Sequence, residues 1–476
     1  MPGSSPDGVG VEVFAAAAKP IPAIAPHAML VFLLAVTSLL TGALLLGRLA
    51  QRLGLPAIVG ELTTGILLGP SVLSQFAPGA ADWLFPRDPN QFHLVEAVGQ
   101  IGVILFVGMT GTEMDVPGVL RRGRSAVQVS LGGLVIPLGL GVATGLLLPA
   151  GLLSGDVDRG VFALFLGVAM AVSAIPVIAR ILVDLNLLHS RVGQMTLAAG
   201  TVDDAVGWLL LSVVSALATS GVRAGDVLTS VAYVVATVVV AAFVGSPVAE
   251  VVLRQAGRRR EPGDSPASAA SAASAASAAS AVSLACVVMI LGAAAATQAL
   301  RLEAIFGAFI AGMVIGSRRS FDPRLVAPVR LVVTGVLAPL FFATAGFRVD
   351  LTQLRRPSVL AAGAVVLAIA VAGKFLGAYL GATVSRLGRW EALALGAGMN
   401  ARGVVEVVVA GTGLRLGVIS PAGYTVVVLV AVATSIMAPP LLRWTVARGA
   451  LAEPAHLPPT DSPPAQRNED ATVRAP

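Results

Sequence analysis

Asp203 and Asp204 stand side by side in the run MTLAAGTVDDAVGWLLL, which is otherwise apolar and long enough to cross a bilayer. An aspartate in hydrocarbon costs at least about 2.5 kcal/mol on insertion scales, so an intramembrane carboxylate marks a functional site. Two together point to a site that binds a cation, a proton, or each in turn. Neighbouring helix residues differ by about 100° around the axis, so the two carboxylates cannot serve one partner equally. One can pair with a base while the other looks into a cavity, and Lys374 is the natural partner. It lies in the middle of VVLAIAVAGKFLGAYLGATV, in a chain whose only other lysine is Lys19, against 30 arginines. Lysine can give up its proton when buried, whereas arginine effectively cannot. If Asp203 pairs with Lys374, Asp204 is free to take a hydrated cation. Arrival of the cation favours ionised carboxylates and exit of protons, and proton binding favours release of the cation. Competition for one carboxylate is enough to exchange one ion for the other. A purely structural ion pair would not need the second aspartate.

A second group of residues sits where helices should break. The segment FALFLGVAMAVSAIPVIARILVDL is interrupted at Ser173-Ala174-Ile175-Pro176. Proline removes a backbone donor and clashes with the preceding turn, and freed backbone groups at membrane depth are tolerated where they line a cavity. An ordinary proline kink is the plain alternative. The segment ALALGAGMNARGVVEVVVAGTG carries Asn400, Arg402 and Glu406 between and beyond Gly398 and Gly403. Arg402 and Glu406 are four apart on one helix face and can neutralise each other. Glu61 and Glu96 have no evident partner, and Arg180 and Asp184 are expected at a helix end.

The elements that position these residues are membrane spans. Of the 476 residues 56% are hydrophobic and 12% charged, with a mean hydropathy of +0.87. Soluble domains carry about 25% charged residues, so the composition is that of an all-α polytopic membrane protein. The net charge of +6 comes from arginines that punctuate apolar runs, which argues for orientation in a bilayer and against a nucleic-acid partner. The single Cys286 excludes an intramolecular disulfide, and no Cys/His metal spacing appears, so no cofactor and no metal beyond a transported monovalent cation are expected. The N-terminus lacks a basic region followed by an apolar core, so no cleaved signal peptide is expected.

About 13 transmembrane helices are expected, among them 160–184, 193–219, 303–317 and 390–413. An N-terminal segment (1–26) precedes the first transmembrane half (27–253). A Ser/Ala-rich linker (254–282), helical or disordered, leads to the second half (283–446) and a disordered tail (447–476). Arg48, Arg52, Arg121, Arg122, Arg124, Arg191, Arg254, Arg258, Arg259, Arg260, Arg318, Arg319, Arg324, Arg386, Arg389, Arg443 and Arg448 fall on one side of the spans. The other side has fewer, chiefly Arg87, Arg159, Arg223, Arg301, Arg355, Arg356 and Arg415. The positive-inside rule then places the N-terminus outside and the linker and C-terminus in the cytoplasm. AIVGELTTGILLGPS and AIFGAFIAGMVIGSR share the spacing of Gly60, Gly65 and Gly69 with Gly307, Gly312 and Gly316. Phe106, Gly111 and Asp115 likewise match Phe341, Gly346 and Asp350. The repeats begin an odd number of spans apart, so two inverted six-helix repeats joined by a connector helix are expected, with the two broken helices crossing at equivalent positions.

In order and spacing, GELTTGILLGPS, VSAIPVIARIL, GTVDDAVGW, FGAFIAGM, AGKFLGA and NARGVVE resemble the monovalent cation:proton antiporter-2 family of the sodium/proton antiporter superfamily, over roughly 27–446. The resemblance implies a transporter, not an enzyme, that exchanges Na+ or K+ for protons in the cytoplasmic membrane. It implies elevator-like movement of a six-helix core domain against a dimerisation domain, hence a homodimer. It implies that Asp204 is the main ion and proton carrier, that Asp203 and Lys374 form a proton-linked pair, and that Ser173 and Thr201 line the cavity. The Asp-Asp form with the lysine is similar to electrogenic members, which move two protons per cation; electroneutral relatives usually have Asn before the Asp. Where some relatives carry an acidic residue four positions before the pair, this chain has Ala199, so an ion pair between that position and Arg402 does not carry over.

A proton-coupled exporter of a larger solute on the same scaffold is the alternative function. An intramembrane aspartyl protease also uses two aspartates, but they must face each other from different helices, and no Gly-x-Gly-Asp pattern is present. A cation channel is disfavoured because broken inverted helices suit alternating access.

Overall fold

The computed structural model describes residues 24–85, 89–114, 116–155, 157–220, 224–257 and 269–452. Asp115, Arg87 and Arg223, most of the N-terminal segment, the centre of the linker and the tail beyond Ala452 lie outside these. The first half runs through α1 (Pro26–Arg52), α2 (Ala57–Leu68), α3 (Pro89–Thr112), α4 (Val116–Leu147), α5 (Arg159–Ala171), α6 (Ile175–Asp184), α7 (Arg191–Ser220) and α8 (Ala224–Val240). A π-helical turn, Ala241–Gly245, carries α8 into α9 (Ser246–Gly257). The second half comprises α10 (Ala269–Ala299), α11 (Ala304–Gly316), α12 (Ala327–Val332), a second π turn at Val333–Leu337, α13 (Ala338–Phe347), α14 (Pro357–Val384), α15 (Arg389–Met399), α16 (Val404–Arg415) and α17 (Pro421–Ala452).

Among the described residues eleven helical segments are long and apolar enough to cross a membrane, or twelve if α15 and α16, bent by 46°, count as one. The chain is a multi-pass, all-helical membrane protein. Of the thirteen expected spans, 303–317 falls short, because α11 has only 13 residues. At 1.5 Å per residue that is about 20 Å, against a hydrocarbon core of about 30 Å.

Two expected boundaries also move. α9 runs into the stretch expected as linker, and the Ser-Ala-Ala repeat forms the start of α10, because alanine is the strongest helix former and serine every third residue is tolerated. α17 continues to Ala452, past the expected tail boundary.

Burial separates centre from rim. In the span Arg159–Asp184, which comprises α5 and α6, 83% of the most apolar window is buried, against 6% in Val231–Ala256. Glycines set the contacts between the halves. A Cβ on Gly65 of α2 would land on the Ala343 carbonyl of α13, and one on Gly312 of α11 would land on the Gly108 carbonyl of α3. In reverse, Gly346 of α13 abuts Leu62, and Gly111 of α3 abuts the Phe309 carbonyl. Each short glycine-lined helix is thus seated against a helix of the opposite half. Helices in lipid associate through such close packing.

Candidate functional site

The site forms where two helix breaks meet. α5 ends at Ala171, and α6 begins at Ile175 with Pro176 in its first turn, where the missing N–H costs nothing. α15 ends at Met399 and α16 begins at Val404. The breaks touch: the Ala174 N–H donates to the Ala401 carbonyl at 3.2 Å, and the Ser173 hydroxyl reaches the Met399 carbonyl at 2.9 Å. Glycine packing brings the other contributors to the same depth. Gly132 of α4 and Gly377 of α14 meet backbone to backbone, close to Ser130 and Lys374. Gly207 of α7 accommodates Val172 from the first break.

Five ionisable side chains are buried there: Asp203 (0% exposed), Asp204 (1%), Lys374 (0%), Arg402 (0%) and Glu406 (1%). Asp203 has a donor on each oxygen. Lys374 Nζ lies 2.8 Å from its Oδ2, the Ser173 hydroxyl reaches the same oxygen at 3.0 Å, and the Ser130 hydroxyl donates to Oδ1 at 2.6 Å. Asp204 differs. Its Oδ1 is buried with no hydrogen-bond partner, and the backbone of Ile175, at the start of α6, interacts with its carboxylate. The N-terminal end of a helix favours a negative charge.

Arg402 is a structural clamp as well as a charge. Its guanidinium donates to the carbonyls of Ala169 (2.8 Å) and Met170, in the last turn of α5, which the break leaves without helical partners. Arg402 Nη1 is also 3.6 Å from Glu406 Oε1. Glu406 accepts from the Gly403 N–H at 2.8 Å, capping the start of α16. The Asn400 side chain is buried, with neither amide atom hydrogen-bonded.

Thr201 is placed differently from the other candidates. It is half-buried, and its hydroxyl bonds the Leu197 carbonyl of its own helix at 2.8 Å. Two hydroxyls absent from the sequence reading belong to the site: Ser130, and Ser435, which donates to the Arg402 carbonyl. A hydroxyl in an apolar helix usually bonds its own backbone, so neither carries a signal in sequence. Of the unassigned carboxylates, Glu96 pairs with Arg348 at 2.6 Å, whereas Arg180 and Asp184 form an exposed pair at 3.2 Å.

The description "Sodium/hydrogen exchanger, transmembrane" matches residues 35–448. The chain is 30% identical over 399 residues to Na(+)/H(+) antiporter NhaS4 of Synechocystis sp., covering 84% of this chain and 93% of that one. It is 28% identical to Cation/H(+) antiporter 17 of Arabidopsis thaliana over 87% of this chain, but spans only 48% of that protein. The fold is similar to the sodium proton antiporter MjNhaP1 from Methanocaldococcus jannaschii, with a TM-score of 0.61, 16% identity and coverage of 89% and 98% of the two chains. A match across nearly all the described helices, with a relative of equal extent, means that the chain belongs to the transmembrane sodium/hydrogen exchanger family, a family of monovalent cation:proton antiporters.

Proposed function

We propose that the chain exchanges a monovalent cation, Na+ or K+, for protons by alternating access, and that cation and proton compete for Asp204. The observation that carries this is the asymmetry of the pair: Asp203 has three donors, while Asp204 keeps a wholly buried oxygen without one. A buried carboxylate oxygen without a donor suits a partner that comes and goes. Asp203 and Lys374 act as a proton-linked pair, in which protonation of Asp203 would free the lysine. Ser173 couples that pair to the second break through Met399, and Asn400 offers an amide oxygen to a passing cation. Arg402 and Glu406 hold the ends of the broken helices.

Several parts of this reading concern the whole assembly. The reciprocal glycine contacts of α2 with α13 and of α11 with α3 support two inverted repeats. The arginine distribution supports an N-terminus outside and the linker and C-terminus in the cytoplasm. The core carrying the site moves against a dimerisation domain in a homodimer at the cytoplasmic membrane. The exchange is tested in inverted vesicles by cation-induced collapse of a proton gradient. Na+ or K+ restores the fluorescence of a pH-sensitive dye with the parent protein and not with Asp204→Asn. A chain unresponsive to Na+, K+ and Li+ at every pH would refute antiport. An Asp204→Asn variant exchanging at the parent rate would refute the carrier assignment.

A further inference from the structure

A second polar feature lies away from the ion site. A groove of about 990 Å³ opens where the first turn of α7, the α14–α15 connection and the last turns of α17 meet. Its charged lining is Arg191, Arg386, Arg389 and Glu391. Arg191 is partly spent on Glu391, at 3.4 Å. Arg386 and Arg389 are exposed and have no carboxylate partner among the described residues. Arg389 lies 5.1 Å above the ring of Trp390, which packs edge-on against Trp444 at 5.8 Å. Three arginines against one glutamate leave an excess of positive charge in a concave site. Tryptophan is enriched at headgroup depth, and basic pockets between the ends of membrane helices suit phosphate headgroups. By the arginine distribution this end faces the cytoplasm.

We propose that this groove binds the headgroup of an anionic phospholipid of the cytoplasmic leaflet, and that the bound lipid regulates transport. The site is well placed for it. α7 carries Asp203 and Asp204, α14 carries Lys374, α15 leads into the second break, and α17 holds Ser435 against Arg402. A phosphate bridging Arg386 and Arg389 ties the end of α14 to the start of α15, and Arg191 adds the start of α7. The regulatory half of the proposal rests on the antiport reading; the binding half does not.

The test uses the purified full chain. Binding is read as the rise in melting temperature on adding phosphatidylglycerol to the detergent-solubilised protein. Exchange is read in phosphatidylcholine vesicles with and without phosphatidylglycerol, and in phosphatidylcholine vesicles with inorganic phosphate. A basic residue near a membrane surface is worth a factor of about five in affinity. The pair Arg386→Gln, Arg389→Gln is therefore expected to bind phosphatidylglycerol about 25-fold more weakly and to lose the change in exchange rate, while the corresponding lysine pair keeps most of both. The single variants give the fivefold steps separately should the pair not fold. Arg319→Gln with Arg324→Gln removes the same charge from exposed positions outside the groove and is expected to leave affinity unchanged. Equal loss in that control would overturn the groove as the site, leaving diffuse surface charge. Equal stabilisation by inorganic phosphate would overturn the lipid assignment. Lipid binding without any cation exchange would refute antiport and leave the lipid site standing.

Discussion

Replacing Lys374 by methionine keeps most of the side-chain volume and removes the charge opposite Asp203. Both groups are wholly buried, 2.8 Å apart. Removing one member of such a pair leaves an uncompensated buried charge, at a cost of about 3–5 kcal/mol. Asp203 keeps its hydrogen bonds from Ser130 and Ser173, so the lower end, about 3 kcal/mol, is expected. That is a factor of roughly 100 in the folded-to-unfolded ratio. Asp203→Asn with Lys374→Met removes both charges, and replacing a buried pair by neutral groups is often close to neutral. Equilibrium unfolding in mixed micelles of the parent, both single variants and the double variant gives the coupling energy, expected at about 2 kcal/mol or more. If each single change costs under about 1 kcal/mol, or the costs add within about 0.5 kcal/mol, the pair is not the buried unit described here. Currents on a solid-supported membrane test its part in transport: unchanged pH profile and charge per cation in Lys374→Met would remove the pair from the proton path.

The glycine interlock predicts that Gly65→Ala and Gly312→Ala destabilise the chain by at least the ~1–3 kcal/mol typical of overpacking, because the obstructing atoms are carbonyls of another helix. Gly139→Ala, with nothing within 4 Å, should lose no stability, and thermal melts in detergent that fail to separate the three would refute the interlock. Asp350, before the turn Leu351–Arg355, accepts from the Thr352 N–H (3.0 Å), the Thr352 hydroxyl (2.6 Å) and the Gln353 amide (2.8 Å). Burial pushes its carboxyl up, but these hydrogen bonds prevail and hold it below the usual carboxylate range. A depressed native pKa adds stability that is present above the unfolded value of about 3.9 and is lost as pH falls through the native one. Melting temperature should therefore fall more steeply over that acid window in the parent than in Asp350→Asn; parallel curves would refute the cap.

Much of the site could be read from sequence because charge in an apolar run is conspicuous. Asp203, Asp204, Lys374, Arg402 and Glu406 each stand out against their neighbours, and Pro176 and Gly403 mark where helices must stop. What did not show was geometry between helices. The residues alone made Lys374 a partner for one aspartate; the resemblance pointed to Asp203, and the rotation of α7 is what brings that carboxylate to 2.8 Å from Nζ. Ser130 and Ser435 were hidden because hydroxyls in helices ordinarily serve their own backbone, as Thr201 does. Glu96, on α3, and Arg348, just past the end of α13, are remote in the chain, so no spacing announced their contact. α11 was already the shortest of the expected spans, and the structure trims it by only two residues, to 13.

The wholly buried charges do not cancel when each group carries its ordinary charge. Among the described residues of the site, Asp203, Asp204 and Glu406 are opposed by Lys374 and Arg402, which leaves one negative charge among side chains that are all but wholly buried. One sodium ion, one potassium ion or one proton restores neutrality. If the site moves as proposed, an empty one would carry its unbalanced charge through the low-dielectric interior, where isolated charges are most costly. On the proposed exchange, this charge count makes the loaded forms less costly to move than the vacant one, which would couple the two ions without a separate device to keep them in step.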